Sequence, residues 1–102
     1  MSEARLEQAA PGELHLVGVL DHSTGPQLRE AGGQMIREFA GKELVLDCSA
    51  VEKTSSVGLA LLLAFMRDAG AAGKALTVRG MPEDMRQIAE VSGLTELLPT
   101  VA

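Results

Sequence analysis

Tryptophan and tyrosine are absent from this 102-residue chain, and phenylalanine occurs only at Phe39 and Phe65. Single-stranded nucleic acid is usually held by stacking bases on aromatic side chains, and a net charge of -5 repels phosphate backbones. Nucleic acid is therefore not an expected partner. Cysteine is equally scarce. Cys48 stands alone, which excludes an internal disulfide and suits a reducing compartment. The two histidines, His15 and His22, come without a cluster of further ligands at metal spacing, so no metal site and no cofactor is expected. The opening Met1-Ser2-Glu3-Ala4-Arg5-Leu6-Glu7 lacks the continuous apolar stretch of a secretory signal. The longest apolar run, Val57 to Met66, is about half of the ~20 residues that span a bilayer, and reads as a buried core helix. These absences point to a cytoplasmic protein.

What is present suits one folded unit. The length supports a single hydrophobic core but not two, so residues 1–102 are expected to form one domain. Leu6 to Gln8 reads as a short strand. The turn signal Ala10-Pro11-Gly12 and the Leu- and Val-rich stretch from Glu13 to Leu20 then suggest a hairpin at a sheet edge. Pro26 suits a first helical turn. Leu28, Ala31, Met35, Ile36 and Phe39 recur at helical spacing over roughly 24 to 40, with Gly32-Gly33 as a weak point that allows close packing on a neighbour.

Leu44 to Cys48 is nearly continuous in apolar residues, the pattern of a central strand buried on both faces, and a polar turn through Lys53 follows it. A second helix runs from Val57 to about Ala69, with Gly70 and Gly73 as stop signals. Its first two turns are apolar almost all round, so it is deeply buried or covered by a partner. Ala75 to Arg79 reads as a strand. Met81-Pro82-Glu83-Asp84 opens a third helix whose core face is Met85, Ile88 and Ala89 and whose end is Gly93. Leu94, Leu97 and Leu98 form a last apolar patch before Pro99. The order is β-β-α-β-α-β-α, and right-handed crossovers would give a mixed sheet with helices packed against it.

Most of the chemistry is concentrated at one junction. A strand that empties through Thr54-Ser55-Ser56 into an apolar helix places unpaired helix amides beside three hydroxyls. Ser56 reads as a helix cap, and also as a phosphorylation candidate, since a phosphate gains from a helix N-terminus.

The residues around this junction resemble a known family. Val45-Leu46-Asp47-Cys48-Ser49-Ala50-Val51, followed by Thr54-Ser55-Ser56-Val57-Gly58-Leu59, is similar to the signature of STAS domains, the family of the anti-sigma factor antagonists. Gly18-Val19-Leu20-Asp21, leading into a helix, resembles the family's earlier Gly-x-Leu-Asp turn, and length and element order agree over nearly the whole chain. The resemblance implies a STAS-like α/β fold and a binding module rather than an enzyme. It carries the family's phosphorylatable Ser or Thr onto Ser56. Two residues depart from the pattern: Ser55 stands where the family commonly has Asp, and Val57 where it has a small residue.

Within the family, Gly58-Leu59-Ala60-Leu61-Leu62-Leu63 and Gly93-Leu94-Thr95-Glu96-Leu97-Leu98-Pro99 are most similar to the MlaB-like branch. Its members are small cytoplasmic subunits of an ABC complex that moves phospholipid to maintain outer-membrane asymmetry. The resemblance implies an MlaF-like ATPase subunit as partner, within a complex that includes a membrane permease. It makes Thr54, Ser55, Ser56, Val57, Leu59 and the exposed side of the second helix the interface candidates. The alternative it implies is an anti-sigma factor antagonist, switched when an anti-sigma factor kinase phosphorylates Ser56.

The remaining candidates are weaker. Asp21 reads as a turn or capping residue before the first helix. It is also a possible neighbour of Ser56, because both follow strands that should lie side by side and parallel. Cys48 with His15 or His22 would make a thiol and base, but no third orienting group is indicated, and a cysteine in a central strand behaves as a small hydrophobe. Gly70-Ala71-Ala72-Gly73-Lys74 lacks the Ser or Thr of a phosphate loop and follows a helix, so it reads as a helix stop. Arg67, Arg79 and Arg86 read as solvated charges on separate elements rather than one basic patch.

Overall fold

The structure is a computed structural model that describes residues 3–93 and 100–101. Strand β1 (Ala4–Ala10) turns at Pro11-Gly12 into β2 (Glu13–Leu20), which it pairs antiparallel. Gly12 has a positive φ of 78°, a conformation open to glycine and strained for other residues. After β2 come helix α1 (Gly25–Glu38), strand β3 (Glu43–Thr54), helix α2 (Ser56–Ala71), strand β4 (Ala75–Arg79), helix α3 (Glu83–Val91) and a two-residue strand β5 (Thr100–Val101). The sheet order is β1-β2-β3-β4-β5, with only the first pair antiparallel. The expected mixed sheet with an N-terminal hairpin is therefore present, and β5 adds an edge that the sequence did not suggest. The apolar patch at Leu94, Leu97 and Leu98 lies outside the described residues.

One face of the sheet is covered. Along β2 the residues at 14, 16, 18 and 20 are buried while their neighbours are half-buried, and Leu76 and Val78 of β4 repeat the alternation. Against this face lie Leu28 and Ile36 of α1, Leu59, Leu62 and Phe65 of α2, and Met85 and Ala89 of α3. α1 packs on α2, and α2 on α3, in one helical layer. The sequence reading of β3 as buried on both faces is corrected here. Val45 is only half-buried, and the buried Asp47 is a charged residue whose side chain bonds to Arg79 of β4.

β3 also runs on through the segment expected to be a polar turn. It does so because it is parallel to the whole of β2, up to the pair Leu20↔Thr54. Two irregularities in this pairing, between His15 and Val17 and between Gly18 and Val19, each place an extra residue on β3. An extra residue switches the face to which side chains point, so the buried set changes from Leu44, Leu46 and Cys48 to Val51. Glu52 and Lys53 remain exposed. That combination is why the stretch looks like a turn when read by composition.

The glycines at 32 and 33 lie inside α1, both buried. A Cβ at Gly32 would stand 2.3 Å from the Phe65 ring, so the helices cross closely at this point. α2 continues past Gly70 and stops at Gly73, where Gly73 N donates to Gly70 O and Lys74 N to Ala69 O, the two bonds of a Schellman stop. Gly70 is therefore not a stop signal.

Candidate functional site

β2 and β3 end side by side, and their next residues build the site. Ser55 N donates to Leu20 O at 3.1 Å, which ties the start of α2 to the end of β2. Ser55 is extended at φ -114°, and its Oγ accepts from Val57 N at 3.2 Å. Ser55, rather than Ser56, is therefore the N-cap, satisfying one of the amides left unpaired at a helix start. Thr54 Oγ1 donates to Ser55 O at 2.9 Å. Its hydroxyl lies where a side chain at position 58 would be, since a Cβ on Gly58 would be 2.0 Å from it. With Thr54 and Ser55 engaged in this way, Ser56 is the first helical residue and its side chain is exposed. Val57 is half-buried and Leu59 is buried at 2% exposure, so of the five interface candidates Leu59 belongs to the core.

The turn from β2 to α1 is the other wall. Asp21 Oδ1 accepts from Ser23 N at 2.9 Å, Ser23 Oγ at 2.6 Å and Thr24 N at 3.1 Å. Thr24 is buried, donating through Oγ1 to Val19 O at 2.9 Å and accepting from Asp21 N at 3.1 Å. Asp21 thus organises this turn, and it follows Leu20, whose carbonyl Ser55 contacts. At Gly25 a Cβ would be 2.9 Å from Val57 Cγ1, so the two helix starts abut. Between them runs a shallow groove of about 430 Å³, lined by His22, Gly25, Pro26, Arg29, Val57, Ala60, Leu61 and Ala64. Arg29 is held in place by both carboxylate oxygens of Asp68 on α2.

The contribution of α1 to this groove had no local signal in the sequence, because Arg29 and Asp68 are brought together only by the helix crossing. The same holds for a polar network on the outer face of the sheet. Arg79 donates from Nε to Asp47 Oδ2 at 2.8 Å and from Nη2 to Glu13 Oε1 at 2.6 Å, and Glu13 Oε2 lies 3.1 Å from His15 Nε2. Burial opposes ionisation of Asp47. The Ser49 hydroxyl, Arg79 and the Ser49 amide outweigh it, and hold the carboxyl down to about 2. Hydrogen bonds from Arg79 and then His15 likewise lower Glu13.

Neither the catalytic nor the basic-patch alternative gains support. Cys48 is fully buried, and burial, with the Asp47 charge behind it, pushes its thiol up to about 12. His15 pairs across the strands with Asp47, the residue before Cys48, so imidazole and thiol are on opposite faces. Arg79 belongs to the outer network, whereas Arg67 and Arg86 are exposed on helices of the other layer. Among the described residues no group of His, Cys, Asp and Glu could hold a metal ion, and no helix is long and apolar enough to cross a membrane.

Comparison with known proteins gives the family. A chain of the Acinetobacter MlaFEDB complex, in an ATP-bound conformation, is 25% identical with a TM-score of 0.83, over 95% of this chain and 99% of that one. An anti-sigma factor antagonist from Mycobacterium paratuberculosis is 27% identical with a TM-score of 0.78, over 98% of this chain and 85% of that one. The Bacillus cell-fate determinant SpoIIAA in its phosphorylated form shares the fold at 22% identity and a TM-score of 0.68, over 98% and 92% of the two chains. No curated protein matches the sequence. The family model for the Mlab-type STAS domain matches residues 4–99, which takes in the hairpin, strands β3 and β4 and the hydroxyl turn, and the chain belongs to the STAS-domain family.

Proposed function

We propose that this STAS domain is a non-enzymatic accessory subunit that binds the ATPase subunit of an ABC transporter for phospholipid trafficking, and supports its assembly or activity. It would act in the cytoplasm, peripheral to the inner membrane through that partner. The observation that carries this reading is the surface at the start of α2. An exposed Ser56 hydroxyl opens a helix whose outward side, through Val57, Ala60, Leu63 and Ala64, holds no charge before Arg67. Such a surface has little charge to desolvate on contact, and its hydroxyls can bond a partner's polar groups. The likeness to a chain of the MlaFEDB complex over nearly its full length supports the choice of an ABC transporter.

Ser56 gives the test. A carboxylate there would be buried unpaired against an apolar contact, whereas loss of the hydroxyl removes no cap, because Ser55 is the N-cap. Ser56→Glu is expected to weaken binding of the ATPase subunit by about tenfold or more, and Ser56→Ala to leave the thermal midpoint nearly unchanged. Pull-down and melting curves read both, and wild-type affinity in the Glu variant would remove Ser56 from the contact.

The alternative, an anti-sigma factor antagonist switched at Ser56, draws support from the Mycobacterium relative and from the exposure of that hydroxyl. Incubation with ATP and an anti-sigma factor kinase separates the two: stoichiometric phosphate on Ser56 would favour the switch.

A further inference from the structure

We infer that the groove between α1 and α2 is a specificity pocket for the partner, taking an aliphatic side chain of the ATPase subunit with a carboxylate beside it. This rests on the accessory-subunit reading and adds α1 to the contact. The groove opens directly next to Ser56, with Val57 in its lining, so a segment that covers the hydroxyl turn continues into it. Its floor is apolar, formed by Pro26, Val57, Ala60, Leu61 and Ala64, which suits an aliphatic group.

Charge selects the neighbour of that group. In a chain of net charge -5, the titratable residues lining this groove are Arg29 and His22, with no acid among them. Asp68 holds Arg29 through Nη1 and Nη2, offsetting its charge and using two of the five guanidinium donors, which leaves the other N–H donors on a pre-positioned, partly exposed guanidinium. A fixed arginine at the rim of an apolar pocket is the arrangement that anchors a carboxylate, and arginine is enriched among residues that dominate interfaces. The electrostatic part of such a contact weakens with salt, the apolar part does not.

The experiment measures binding of the full chain to the purified ATPase subunit of the same organism's phospholipid-transport complex, at low and high salt. Ala60 is exposed on α2, so Ala60→Trp fills the groove without entering the core. It is expected to lower affinity about tenfold with an unchanged melting temperature. His22 is exposed, and His22→Glu places a like charge against the partner's carboxylate. It should lower affinity about threefold to tenfold and flatten the salt dependence, while His22→Lys should keep or raise affinity and steepen the salt dependence.

Ser56→Glu serves as the control that separates the two readings. If wild type binds, Ser56→Glu does not, and Ala60→Trp binds as wild type, the groove is not occupied and the partner contact is confined to the hydroxyl turn around Ser56, away from the α2 surface at Ala60. Equal affinity of the His22→Glu and His22→Lys variants would overturn the carboxylate. Failure of the wild-type chain to bind the ATPase subunit overturns both.

Discussion

At Gly58 a single missing side chain decides the shape of the hydroxyl turn. Its φ is ordinary, so the need for glycine is one of space: a Cβ would meet Thr54 Oγ1 at 2.0 Å and Leu20 Cδ1 at 3.1 Å. Gly58→Ala must push the Thr54 hydroxyl off the Ser55 carbonyl. It is expected to destabilise by about 1–3 kcal/mol, although alanine is the better helix former by up to ~1 kcal/mol. Thr54→Ala removes the obstructing oxygen, so the double variant should be more stable than the sum of the single changes requires. Urea midpoints of the four proteins measure this coupling, and strict additivity would show that Thr54 is not the obstacle. The turn itself was legible, because three hydroxyls before an apolar run announce a helix start. Which serine caps it was not legible, since both satisfy the composition rule and only the backbone conformation at Ser55 decides.

Two adjacent glycines in α1 show how a helix crossing is written. Gly32 faces Phe65, a ring at 1% exposure, at distances of 2.3 Å and 2.5 Å from a Cβ. Gly33 would meet only the ends of Arg37, Asp68 and Arg29, at 3.1 to 3.3 Å. Gly32→Ala should therefore destabilise by about 1–3 kcal/mol, because a buried ring cannot move aside, and Phe65→Leu should offset part of that loss. Gly33→Ala should be neutral or stabilising by up to about 1 kcal/mol, since side-chain ends at 3.1 to 3.3 Å need shift by only a few tenths of an ångström, which the Arg29–Asp68 pair can do without breaking, and helix propensity improves. Thermal unfolding of the variants checks the contrast, and equal effects at both positions would remove the ring as the cause. The sequence showed that the pair was unusual but not which member mattered. The difference lies in the direction of each Cα relative to α2, which depends on the crossing. β3 was misread for a similar reason. Its second half is held by β2 through two bulges, and neither bulge has a mark in the local composition.

Taken whole, the molecule divides its work between the two faces of one sheet. The helical layer holds the core and the surface proposed for a partner, while the outer face carries the Glu13, Asp47 and Arg79 network. The network crosses β2, β3 and β4, so acid should act on the fold from this face. Asp47 is held at about 2 when folded against an ordinary 3.8, and its side chain is 12% exposed, which limits screening by solvent. A depressed carboxyl contributes stability that is complete above its unfolded value and is lost as pH falls through the folded one. Between pH 5 and 2 wild type should lose roughly 2 kcal/mol that Asp47→Asn does not. Because Asp47 and the α1–α2 groove lie on opposite faces, the same variant should bind the ATPase subunit with wild-type affinity at neutral pH. Urea unfolding across that pH range, with binding measured at pH 7, tests the division. Parallel acid limbs would discard Asp47 as the acid-sensitive group, and a binding defect in a folded Asn variant would show that the two faces are coupled.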